Sequence, residues 1–229
     1  RGQMPLNIFE PRYIAMIDEA LRTSRLIGMI QPDVNAGSRG RQTDLYDIGC
    51  VGRITQFAEA GDGRYIITLT GVSRFRIIEE KPLTAPFRQC DVRYEEFAVD
   101  FGARAGEDAV DRKSVLMALR EFSEANSLSI DWKGIEAASN EALVNALSMM
   151  APFGAREKQA LLEAPDLKTR AELHTLAASA SVRFDIVAGT KFGTAAWHFD
   201  RGLHRIAIDE HFEKSLEVRS GVSAQRLRY

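Results

Sequence analysis

Residues Met4–Gln31 read MPLNIFEPRYIAMIDEALRTSRLIGMIQ, and the pattern resolves into a strand, a helix and a second strand. Glu10 leads into Pro11. Proline suits the first helical position, where the N–H it lacks would have no partner. Ile14, Ile17 and Leu21 follow at helical spacing, which predicts one buried helix face. Leu26–Ile30 is a short apolar run stopped by Pro32, as expected of a short strand.

Downstream, Asp33–Asp44 (DVNAGSRGRQTD) is polar and glycine-bearing, so it reads as a loop or a solvated hairpin. Ile48–Glu79 is rich in strand signals. Gly61-Asp62-Gly63 is a turn between Phe57-Ala58-Glu59 and Arg64–Thr70. Tyr65, Ile67 and Leu69 alternate with Ile66, Thr68 and Thr70, which predicts a sheet with one buried face. Gly49 and Gly52 interrupt the first strand and suggest a bulge or a corner. Gly71 reads as a turn into a third strand. There Phe75 and Ile77 lie on one face, and Arg74 and Arg76 on the other. Gln89–Phe97 is read as a fourth strand. Several short, mostly antiparallel strands with one early helix suit a small closed or nearly closed barrel.

Two blocks carry a family resemblance. One is Pro5-Leu6-Asn7-Ile8-Phe9-Glu10-Pro11-Arg12-Tyr13 with Leu26-Ile27-Gly28-Met29-Ile30-Gln31-Pro32. The other is Gly49-Cys50-Val51-Gly52-Arg53-Ile54 with Leu69-Thr70-Gly71-Val72-Ser73-Arg74-Phe75. Together they resemble the N-terminal, substrate-handling domain of Lon proteases, nearest to bacterial proteins that carry this domain alone. The resemblance runs from residue 2 to about residue 172 and then fades. It implies an α+β fold: a PUA-like β-barrel followed by an α-helical bundle. It also implies that the chain, which starts at Arg1, lacks a first strand that family members usually carry.

The expected organisation is a barrel over 1–100, a helical part over 107–183 and an unrecognised tail over 184–229. Pro82, Pro86 and Asp100–Gly106 (DFGARAG) mark interruptions and read as loops. Beyond Gly106, Val115, Leu119 and Phe122 fall on one helix face. Ser139 is placed to cap a helix carrying Leu143, Leu147 and Met150. Ala155–Glu163 predicts a short helix, and Asp166 caps the next one from Leu167. Met117, Met149 and Met150 read as helix-core packing, with an adaptable apolar surface as the alternative.

Bulk composition narrows the function classes. Across 229 residues, 45% are hydrophobic and 27% charged, as in an ordinary globular protein. The net charge of −2 gives no support to a basic nucleic-acid surface or a membrane patch. No apolar run reaches the length of a membrane span, and the expected location is the cytoplasm. Cys50 and Cys90 fall in predicted strands without metal-ligand spacing. Reduced thiols are the expectation, with a cross-strand disulfide as the alternative.

Catalytic signatures are missing from the chain. ATP hydrolysis by a P-loop needs G-x-x-x-x-G-K-[ST], and Gly189-Thr190-Lys191 is only a fragment of it. No G-x-S-x-G elbow occurs. The serine–lysine machinery of full-length Lon lies on a separate domain, so the resemblance implies a non-catalytic module. Asp100-Phe101-Gly102 matches the kinase metal-binding tripeptide in letters alone. Glu79-Glu80 and Glu95-Glu96, read as strand neighbours, point to opposite faces and cannot converge on one proton. His198, His204 and His211 are spaced too widely for paired helical zinc ligands, so neither metal nor cofactor is expected.

Recognition remains. The resemblance implies binding of unfolded or damaged polypeptide, with an ATP-dependent protease or a chaperone as further partner. Strand addition at a sheet edge and docking of apolar side chains are the two physical routes. The candidate residues are Phe9, Glu10, Pro11, Arg12 and Tyr13 at the strand-to-helix corner, then Phe57, Arg64 and Tyr65 at the hairpin. The competing reading makes Phe9 and Tyr13 core aromatics, with Glu10 and Arg12 a local ion pair. PUA-like barrels also bind RNA. That alternative requires Arg39, Arg41, Arg53, Arg74 and Arg76 to form one basic stripe. A structural or oligomerising domain is the third reading.

Overall fold

The computed structural model describes residues 2–33, 38–39, 42–126 and 128–188. The chain separates into two compact units, Gln3–Phe101 and a second that begins at Gly102. The class is α+β, with an antiparallel sheet first and helices after it.

In the first unit, β1 (Gln3–Ile8) runs into α1 (Pro11–Arg22), and β2 (Leu26–Met29) follows. Pro11 opens α1 at its first turn. Tyr13, Met16, Ile17 and Ala20 form the buried face of α1. Two-residue strands β3 (Ser38–Arg39) and β4 (Gln42–Thr43) pair within the polar loop. The long strands β5 (Ile48–Glu59) and β6 (Tyr65–Glu80) make a hairpin, and β7 (Cys90–Arg93) adds to the far half of β6. The ladder order is β1-β6-β5-β2, with β7 also on β6 and every pairing antiparallel.

Three readings are corrected. Gly71 does not turn the chain: Tyr65–Glu80 is one strand of 16 residues. A register shift between Val51 and Gly52 absorbs the irregularity opposite Ser73 and Gly71. The fourth strand stops at Arg93, and Glu95–Phe101 is a 3-10 segment kinked at Phe97. Glu95-Glu96 therefore opens a helical turn instead of alternating along a strand, and Asp100 belongs to that turn.

Two cores lie on the two faces of this sheet. Leu6, Ile8, Ile27, Ile54, Ile67 and Leu69 pack under α1 together with Phe87. Leu26, Ile30, Val51, Phe75 and Cys90 form the other. Adjacent Leu26 and Ile27 point into different cores, which is why β2 is apolar without alternation. Cys90 is buried, Cys50 is half-buried, and both are free thiols.

Gly49 pairs with Phe75 across the β5–β6 ladder. A Cβ at this position would run into the Phe75 ring and the Met29 carbonyl oxygen. Gly49→Ala is expected to cost about 1–3 kcal/mol as an overpacked core site. A fall in the urea midpoint at unchanged slope would register it, and an unchanged midpoint would mean the strands yield freely.

The second unit is helical: α2 (Arg112–Ala125), α3 (Trp132–Ala137), α4 (Asn140–Met150), α5 (Ala155–Glu163) and α6 (Leu167–Ala188). A short 3-10 turn, Glu107–Ala109, precedes them. Ser139 caps α4 by accepting from the Ala142 N–H, and Asp166 accepts from the Thr169 N–H. Glu107 adds an anion at the start of α4. Its Oε1 accepts the Glu141 N–H at 3.0 Å, and Arg104 donates to its other oxygen. Those bonds hold the Glu107 carboxyl down to about 2.

Met117 and Met150 do not pack into the helix core as expected, for both are exposed. The bundle's interior is built instead from Val115, Leu143, Val144, Phe122, Phe153 and Leu161. Helix α3 was not anticipated. The tail histidines and Arg41 lie outside the described residues.

Candidate functional site

The two patches singled out in the sequence come together at one end of the sheet. Antiparallel pairing sets Ile8 opposite Tyr65 and Asn7 opposite Ile66, so Phe9 starts one residue past Tyr65's partner. Tyr65 also faces Glu59 across the hairpin. The turn closes with Ala60 N–H to the Arg64 carbonyl at 2.7 Å, and Gly63 takes a left-handed φ of 81°.

The rings of exposed Phe57 and half-buried Tyr65 support each other. Phe57 meets Tyr65 edge to face, with centroids 5.0 Å apart. The Tyr65 hydroxyl donates to Asp18 of α1 at 2.9 Å, which raises its pKa above the ordinary tyrosine value. Glu10 and Arg12 form an ion pair at 3.1 Å, and the Arg12 guanidinium lies 4.5 Å from the Tyr13 ring centroid. Arg64 pairs with Asp62 at 2.6 Å.

The eight residues therefore divide. Tyr13 is a core residue at 4% exposure and cannot meet a partner directly. Phe9 (45%) and Phe57 (43%) are exposed, and Ile66 adds an exposed side chain (44%). Glu10, Pro11 and Arg12 shape the corner, while Arg64 lies in the turn. Asp18 and Ile66 were missed. Asp18 meets Tyr65 across 47 residues of chain, a separation that leaves no local signal. Ile66 read simply as the outer face of an amphipathic strand.

Among the described residues, Arg74 and Arg76 are not available to the basic stripe that RNA binding requires. Arg74 is buried, and its guanidinium is bidentate on Asp100, with both bonds at 2.9 Å. Arg76 is spent on Glu96 at 2.7 Å and Asp47 at 3.7 Å. Among the described residues, no group of three His, Cys, Asp or Glu side chains could hold a metal ion. Among the same residues, no helix is long and apolar enough to cross a membrane.

Similarity to known proteins agrees with this architecture. Residues 3–176 match the ATP-dependent protease La (LON) substrate-binding domain, and the chain belongs to that family. The Lon protease 2 of Myxococcus xanthus is 27% identical over 192 residues, covering 75% of this chain and 21% of that protein. The chain thus spans about a fifth of the length of this relative. The N-terminal domain of a Mycobacterium avium complex Lon protease superposes with a TM-score of 0.54 at 17% identity, covering 78% of this chain and 90% of that one. A Lon N-terminal domain protein from Xanthomonas campestris gives 0.50 at 18% identity, covering 75% and 86%. At these identities the two structures bear on the fold alone.

Proposed function

We propose that this chain is a non-catalytic recognition module that binds unfolded or damaged polypeptide in the cytoplasm and serves as an adaptor for ATP-dependent proteolysis. Family membership supports a substrate-handling role. The observation that carries the reading is the convergence of Phe9, Phe57 and Tyr65 at one end of the sheet. Exposed aromatic surface on a rigid frame suits clients that share no sequence but expose apolar side chains. The sheet carries an Arg74 already neutralised and an Arg76 already paired, which disfavours RNA.

Fluorescence anisotropy of one labelled unfolded polypeptide and one labelled RNA, at low and physiological salt, tests the proposal. Salt-tolerant binding of the polypeptide is the expected result. The double substitution Phe9→Ser with Phe57→Ser is expected to weaken it about tenfold, or roughly 1.4 kcal/mol, with the melting temperature little changed. Salt-sensitive binding of RNA alone would overturn the proposal.

A further inference from the structure

The outer edge of β5 is used for only part of its length. Its N-terminal half pairs with β2, from Cys50↔Met29 to Arg53↔Leu26. The last bond on that side is Ile54 N–H to the Arg25 carbonyl at 2.8 Å. Beyond it, the strand continues to Glu59 and pairs only with β6.

Which groups face outward follows from the ladder. In an antiparallel pair, successive residues direct both N–H and C=O alternately toward and away from the partner. Ala60 N–H bonds the Arg64 carbonyl, so Ala60 faces β6. The register is unbroken from Glu59↔Tyr65 to Gln56↔Thr68, so Ala58 and Gln56 face β6 as well. Phe57 and Glu59 then present their backbone N–H and C=O outward. Among the described residues, nothing takes them up. Gln56, Phe57, Ala58 and Glu59 are all exposed.

Exposed edges are ordinarily blunted by proline, lysine or an inward charge. β1 carries Pro5, and β2 is almost wholly buried. The segment Gln56–Glu59 has neither proline nor lysine and carries an exposed aromatic ring.

We propose that Gln56–Glu59 captures an extended segment of unfolded polypeptide as an added strand, in line with β2, bonded to the backbone of Phe57 and Glu59. The proposal rests on the reading given under Proposed function and supplies its binding mode. Main-chain bonding explains how one edge could accept many sequences, because every chain offers the same N–H and C=O groups. The captured strand's side chains on one face meet Phe57 and Tyr65, and those on the other meet Ala58 and Ile66. A second copy is the less suitable occupant. Four residues span only about 13 Å, too short an edge by itself to bury the roughly 800 Å² per partner of a stable dimer.

The probe is a fluorescein-labelled Val-Thr-Phe-Thr-Val peptide, with a second version N-methylated at alternate residues so that side chains stay and outward donors go. On the full chain, the unmodified peptide is expected to bind and the N-methylated one to lose at least about tenfold. Hydrogen exchange at the Phe57 and Glu59 amides should slow on binding, while Ala58, already bonded to β6, changes little. Equal binding of both peptides would overturn strand addition yet leave side-chain recognition standing. Binding of neither peptide, with unfolded polypeptide still bound, would also reject this edge. Loss of all polypeptide binding would remove both proposals. A mass that doubles with concentration in sedimentation, abolished by Phe57→Lys, would assign the edge to a second copy and overturn the proposal.

Discussion

Asp100→Ala is expected to remove about 3–5 kcal/mol of folding stability, the cost of breaking a buried ion pair from one side. Arg74 sits at 4% side-chain exposure, and Asp100 receives three of its N–H groups, two from the guanidinium and one from the backbone. The guanidinium also lies 4.9 Å from the Phe97 ring centroid. These contacts fasten the Glu95–Phe101 turn to β6. Truncating Asp100 leaves a cation out of water without its carboxylate. Such a loss is a large share of the 5–15 kcal/mol that a domain has in total. Denaturant unfolding measures it directly. The double substitution Arg74→Met with Asp100→Leu should recover most of the loss, because the penalty lies in the orphaned charge and not in the missing bond. A single-variant loss under about 1 kcal/mol would show that the turn is held by something else.

The second large effect concerns acid. His174 lies in α6 at 3% exposure against Phe153, their ring centroids 5.2 Å apart. Neither ring nitrogen makes a well-formed hydrogen bond among the described residues, and the nearby Leu147 backbone offsets the burial only in part. Burial lowers its pKa from 6.5 to about 4. The unfolded chain takes up this proton below pH 6.5, whereas the folded chain refuses it until about 4. Stability is therefore complete above 6.5 and drains away as the pH falls toward 4. The expected total is about 3 kcal/mol at 1.36 kcal/mol per pH unit. Glu107, held at about 2, acts lower down, since its contribution is lost only below the ordinary glutamate range. The two windows separate. Denaturation midpoints at pH 7 and pH 4.5 should differ markedly in the wild type and much less in His174→Leu. Equal slopes in the two proteins would place the acid sensitivity elsewhere.

Legibility in the sequence followed the range of the interaction. α1, the Gly61–Gly63 turn and the caps at Ser139 and Asp166 are local devices of a few residues, and each is visible in the letters. α3 escaped because six residues containing Gly134 offer too short a period. The fate of Arg74 was hidden for a different reason. Alternation assigned it to the face opposite Phe75, correctly, but a face is not solvent until one knows what covers it. Its cover comes from residues 95–101, in a stretch that alternates like a strand. The recognition surface shows the same split. Both aromatic patches could be named in advance, but their adjacency depends on a register between residues 3–8 and 65–70, and no short window contains it.

That register has a consequence for biogenesis. β1 leaves the ribosome well before β6, its only partner among the described residues, which is completed at Glu80. The hairpin of β5 and β6 is local and forms quickly, while seating β1 closes a loop of some sixty residues. During synthesis Leu6 and Ile8, destined for the core beneath α1, must stay in water until then. A domain proposed to bind unsheltered apolar chain is, for that interval, such a chain itself.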